Sequence, residues 1–137
     1  MTTRHPVVLP GEEGVAARFG FASAFRAGDT VYVSGVIGRG TDGRVPDSEP
    51  DEYTSIFDRL ALVLDAAGAS MADVVELVSY HVDLHASLPA FMGAKSAAMP
   101  GATPAWTAIG CSALAAPGAR VELRAVAVID APDATGT

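Results

Sequence analysis

The chain has a single cysteine, Cys111, so no internal disulfide is possible and nothing requires an oxidising compartment. Basic residues are also scarce. Nine Lys plus Arg face sixteen Asp plus Glu, for a formal charge of −7. Phosphate binding needs clustered cations, and these are scattered, so neither a nucleic-acid partner nor an anionic membrane surface is expected. The three histidines lack metal-ligand spacing, so no metal site is read. The turn glycines Gly38, Gly40 and Gly43 do not open a helix as a phosphate-binding loop would, and no cofactor is implied. No apolar run is long enough to span a bilayer. The opening MTTRHPVVLPGEEG has no signal-peptide pattern. These absences together predict a cytoplasmic protein.

What is present suits one domain over residues 1–137, with an ordered core from about 19 to 130 and flexible tails at both ends. Phe21–Arg26 and Thr30–Gly38 read as strands joined by the turn Ala27-Gly28-Asp29. Pro50 suits a first helical turn, after which Ile56, Leu60, Val63, Leu64 and Ala67 recur at helical spacing until Gly68 stops them. Val74–Asp83 is rich in β-branched residues and predicts a strand. Ser87 is placed as the cap of a second helix carrying Leu88, Phe91, Met92, Lys95 and Met99, ended by Pro100-Gly101. Pro104–Leu114 and Arg120–Asp130 complete the chain as strands around the turn Pro117-Gly118. The resulting α+β order is β-β-α-β-α-β-β.

Side chains alternate across a strand, so face counts are informative. In the last strand Val121, Leu123, Ala125, Ala127 and Ile129 share one face, while Arg120, Glu122, Arg124, Val126 and Val128 share the other. In Val74–Asp83, Val75 and Leu77 are assigned to one face and Val74, Val78, Tyr80 and Val82 to the other. Both faces are partly apolar, yet two helices cover only one. In so short a chain, a second copy is the natural cover.

Several segments resemble the RidA/YjgF family. Ala27–Gly35, AGDTVYVSG, is similar to the family's "aGd-vyvSGq" hairpin, and Leu62–Asp73, LVLDAAGASMAD, to its "vLeaaGasldDvv" stretch. Val82-Asp83-Leu84 resembles "vtDl". Thr103-Pro104-Ala105, with Val121–Ala127 further on, resembles "yPARt-v---L---a-vEieaiA". The resemblance runs in order from about Phe21 to Ile129. It implies a chorismate-mutase-like mixed sheet with two helices on one face, and a homotrimer with ligand clefts between subunits. It also implies small-molecule chemistry, since archetypal members hydrolyse reactive enamines and imines and release ammonia.

Carried over position by position, Glu122 matches the family's water-positioning Glu and Gly35 the Gly of its Ser-Gly pair. The carboxylate-gripping Arg is replaced by Trp106, the aromatic hydroxyl by Phe21, and the Asn by Met92 or Phe91. Ala108, on the same strand as Trp106, joins the expected lining. Arg donates a planar pair of charge-assisted hydrogen bonds that Trp cannot supply. The substitutions therefore predict an apolar cleft that takes flat apolar or cationic ligands and turns over 2-aminoacrylate-type imino acids poorly.

Glu122 has two readings. It is an acid–base group with a pKa raised by burial, or it pairs with Arg120 or Arg124 on its own strand face. Arg124 could supply the lost cation or form an ion pair between subunits. His81 reads as a hydrogen-bonded structural residue and Cys111 as a small buried one. A divergent hydrolase or deaminase and a non-catalytic trimer that binds a small apolar metabolite are both consistent with these residues. Nuclease activity is disfavoured by the acidic balance.

Overall fold

The computed structural model describes residues 3–130. Six strands form one sheet: β1 (Arg4–Val7), β2 (Ala24–Ala27), β3 (Thr30–Ile37), β4 (Val74–His81), β5 (Ala105–Gly110) and β6 (Val121–Val128). Their spatial order is β1-β2-β3-β6-β4-β5. Only β4 and β5 run parallel, because the helix α3 (Leu84–Ala98) returns the chain between them. The helices α1 (Glu13–Phe19) and α2 (Glu49–Ala66) complete the regular structure, with one 3-10 turn at Met71–Asp73. The expected order is thus present. A strand and a short helix precede it, so regular structure among the described residues begins at Arg4, ahead of the expected start near Phe19. The C-terminal tail Ala131–Thr137 lies outside the described residues.

The turn between β2 and β3 places Gly28 at φ 60° in the first of two loop positions, which a two-residue hairpin reserves for glycine. In α2, Ser48 accepts a hydrogen bond from the Asp51 N–H, and Glu49, Asp51 and Glu52 oppose the positive end of the helix dipole. Its buried stripe of Tyr53, Ile56, Phe57, Leu60, Val63 and Leu64 packs onto Val31, Val33, Leu123 and Ala125. Each such side chain, fully buried, contributes roughly 1.5–3 kcal/mol. The second helix starts at Leu84, not at Ser87. Asp83 takes the cap position, and Ser87 lies buried inside the helix.

Register fixes what points where. Val121, Leu123, Ala125 and Ala127 lie under the helices, as the alternation predicts. In β4 the expected faces need correction at one end. A register shift between Val74 and Glu76 puts Val74 on the helix side, with Leu77, Ser79 and His81, and leaves Val75 exposed. The opposite face carries no helix. Across it run the rows Phe25–Tyr32–Val126 and Ile37–Glu122–Tyr80–Ile109. Tyr32 is 53% exposed, Phe25 41% and Ile109 40%.

Candidate active site

Glu122 stands in the middle of this open face. Opposite it, β3 bulges: Ser34 and Gly35 together face the single residue Arg124 between the pairs Val33↔Ala125 and Val36↔Leu123. The bulge brings Gly35 under the Glu122 side chain so closely that a Cβ there would sit 2.6 Å from Oε2 and 2.7 Å from Cδ. The two residues matched to the family pattern therefore touch, and glycine is needed for the approach itself. The bulge is pinned by Ser34, whose hydroxyl donates to the Ala22 carbonyl (2.6 Å) and whose N–H donates to the Ser23 carbonyl (3.0 Å).

Desolvation raises the Glu122 pKa above the ordinary carboxylate range. Among the described residues no ion pair reaches it, because Arg120 is committed to Glu52 and Arg124 forms no ion pair. The expected alternative, pairing with Arg120 or Arg124 along the strand, is not what the structure shows. Arg120 instead donates to Glu52 Oε1 (2.6 Å) through its guanidinium and to Oε2 (2.8 Å) through its backbone N–H. Its guanidinium also donates to the Asp47 carbonyl (2.7 Å), tying the loop before α2 to the start of β6.

Phe21 is half exposed and lies in the same region. With Gly35 and Ile37 it lines a cavity of about 420 Å³ between α1, β3 and α2. The structure thus brings Glu122 into contact with Gly35, and Gly35 and Phe21 to one cavity.

It does not bring Trp106, Ala108 and Met92 to them. Trp106 pairs with Leu77 and Ala108 with Ser79, both on the helix side, whereas Glu122 pairs with Tyr80 on the open side. Within one chain the indole and the carboxylate point away from each other. The expectation that they line one cleft can hold only across two chains, one presenting its β5 edge and the other its open face. Of the two alternatives for the Asn position, Phe91 is core, stacked among Tyr53, Phe57, His81 and Trp106. Met92 is 48% exposed, and by helical spacing it shares a flank of α3 with Leu88 and Lys95.

The indole makes two contacts that the sequence did not foretell. The Lys95 ammonium lies 5.2 Å from its ring centroid. A cationic ligand would compete with Lys95 for that ring, so the expected preference for cations at Trp106 does not follow. On its other side the indole Nε1–H donates to Ser79 Oγ (2.9 Å). Ser79 Oγ lies 2.8 Å from His81 Nε2, and His81 Nδ1 lies 2.7 Å from Ser87 Oγ. Among the described residues Nε2 is the one acceptor facing the Ser79 hydrogen, and Ser87 directs its own hydrogen to the Leu84 carbonyl (3.5 Å), an arrangement that favours the His81 proton on Nδ1, donated to Ser87. His81 is fully buried with a pKa lowered by desolvation, which agrees with its structural reading. Cys111 follows β5, half-buried, its N–H donating to the His81 carbonyl.

Comparison with known proteins agrees with this architecture. The family model described as Endoribonuclease L-PSP matches residues 12–129. The RutC family protein YjgH of Escherichia coli K12 is 30% identical over 130 residues, 94% of this chain and 98% of that one. A Dermatophagoides farinae protein named 2-iminobutanoate/2-iminopropanoate deaminase is 31% identical over 112 residues, 80% of this chain and 86% of that one. Among solved structures, Rv2704 of Mycobacterium tuberculosis, a member of the YjgF/YER057c/UK114 family, superposes with a TM-score of 0.80 at 28% identity, covering 93% of this chain and 100% of that one. The fold is the chorismate-mutase-like one, and the chain belongs to the RidA/YjgF family.

Proposed function

We propose that the protein is a hydrolase of an imine, enamine or related small molecule, with Glu122 as its acid–base group. The observation that carries this reading is a carboxylate of raised pKa, with no ion pair among the described residues, held over Gly35 on an uncovered sheet face. Such a group can take a proton from water as the water oxygen attacks an imine carbon, and return it to the nitrogen. The hydroxyl proton of the resulting carbinolamine then passes through the same carboxylate to the nitrogen, the carbon–nitrogen bond breaks, ammonia leaves and a carbonyl remains. The name of the Dermatophagoides farinae relative supports this class of chemistry.

The assembly belongs to the same proposal. Three copies cover each other's open faces and set the Glu122 of one subunit opposite the Trp106 edge of the next, forming clefts between subunits. A cytoplasmic setting suits this chemistry, and no described helix is long and apolar enough to cross a membrane. With Trp106, Phe21 and Met92 in place of polar groups, archetypal short imino acids should be turned over slowly. The same loss of polar groups favours a second reading, a trimer that binds an apolar metabolite without changing it.

Ammonia release from freshly generated imines, measured with wild type and Glu122→Gln beside light-scattering mass, tests the proposal. Turnover that falls roughly 100- to 10,000-fold in an intact trimer is expected. Equal turnover in the two proteins would refute it, and ligand binding with no chemical change would establish the second reading.

A further inference from the structure

The cavity at Phe21 adjoins a larger one of about 890 Å³, and the two share Val15, Phe21, Ile37, Arg39 and Gly43. Ile37 is the cross-strand partner of Glu122, and Gly35, which touches the Glu122 carboxylate, lines the smaller cavity, while Glu122 itself lines neither. Its charge runs against that of the whole molecule. In a chain of formal charge −7, four of the nine basic residues line it: Arg39, Arg44, Arg59 and Arg120. Only Glu12 and Asp47 oppose them there.

These arginines are not equivalent. Arg59 is held by Glu12, and Arg120 by Glu52. Arg39 lines both cavities and makes one hydrogen bond, to the Gly43 carbonyl (2.9 Å), and among the described residues no carboxylate pairs with it. Its remaining N–H donors are available to a ligand. The wall opposite is apolar. Phe19 and Phe21 are 65% and 46% exposed, and Val45 and Pro46 continue the lining. Apolar walls with a few placed polar groups are what a small-molecule site consists of.

We propose that these adjoining cavities bind a carboxylate carried on an aryl-sized apolar body, with Arg39 holding the carboxylate and Phe19 and Phe21 flanking the ring. The inference deepens the proposed function by naming its ligand class, and rests on that reading only for this ligand's being what Glu122 acts on. A positive charge is thereby restored from β3 and its following loop instead of from the Trp106 position. The volume takes a ligand larger than a three- or four-carbon imino acid.

Calorimetric titration of the full chain with three probes separates the contributions. 3-Phenylpropanoate carries both features, 3-phenylpropanamide lacks the charge, and propanoate lacks the ring. The acid should bind more tightly than either of the others. Arg39→Gln should weaken the acid by roughly tenfold to a hundredfold and leave the amide unchanged, with Arg39→Lys in between. Acid and amide of equal affinity, an Arg39→Gln effect below twofold, or no binding of the acid at millimolar concentration would each overturn the proposal. The readout is equilibrium binding, so it can fail while Glu122-dependent turnover survives, or hold in a protein that turns nothing over.

Discussion

Replacing Gly35 by alanine isolates one contact. The new methyl group would lie 2.6 Å from Glu122 Oε2, and a relaxed contact needs roughly 3.5 Å, so the carboxylate must retreat by about 1 Å or change rotamer. An off-rotamer side chain costs on the order of 0.5–1.5 kcal/mol. Gly35 is not a positive-φ glycine, so alanine adds no backbone strain and lowers the entropy of the unfolded chain, which is worth roughly 0.4–1 kcal/mol in its favour. The two effects nearly cancel, and the melting temperature should move by only a few degrees. Catalysis is far more sensitive to position. A 1 Å displacement of a reacting group can cost about 100-fold. Gly35→Ala should therefore melt close to wild type while its ammonia-release rate falls by about that factor. Calorimetry and the turnover assay on the same preparation check both halves. A drop in melting temperature beyond roughly 10 °C, or a rate equal to wild type, would show that the approach of Gly35 to Glu122 is not what the glycine serves.

Three further outcomes follow from the same geometry. Glu122 has a folded pKa above its unfolded value, so the folded state holds the proton more tightly, and native stability falls as pH rises from the ordinary glutamate range through the raised value. Glu122→Gln should therefore be more stable than wild type at neutral pH, with the difference vanishing in melts at acidic pH. Arg120→Met strands the fully buried Glu52 carboxylate and should cost about 3–5 kcal/mol in urea unfolding, while Glu52→Gln, which keeps an acceptor for Arg120, should cost less. Trp106→Phe removes one donor to the buried Ser79 hydroxyl and should cost about 1–3 kcal/mol, leaving the His81 proton on Nδ1 in a nitrogen-15 spectrum.

The parts of the fold with strong periodicity were legible in the sequence. Helix α2 announces itself through Ile56, Leu60, Val63 and Leu64, and β6 through strict alternation, because burial on one face forces the pattern. Helix α1 buries no residue, so no apolar stripe marks it, and β1 is four residues with a proline among them. The bulge at Val75 inverts two side chains, and alternation alone cannot reveal such a shift. Ser87 looked like a cap because serine favours caps, yet a tertiary contact with His81 holds it inside the helix.

The site divides along the same line. Glu122 and Gly35 were found through the family pattern, and their contact follows from β3 and β6 being neighbours. Trp106 was placed beside them because family position says nothing about which chain supplies which wall, and pairing register assigns it to the other face. Arg39 carries one local signal, its position two residues beyond the end of β3 at Ile37, and that gains meaning only from the pairing of Ile37 with Glu122.

The central claim is that Glu122 is a desolvated acid that holds its proton more tightly than an ordinary glutamate. A carbon-13 titration of its side-chain carboxyl in the assembled protein reads this directly. The account predicts a midpoint above the ordinary glutamate value, and a midpoint at or below that value would contradict it.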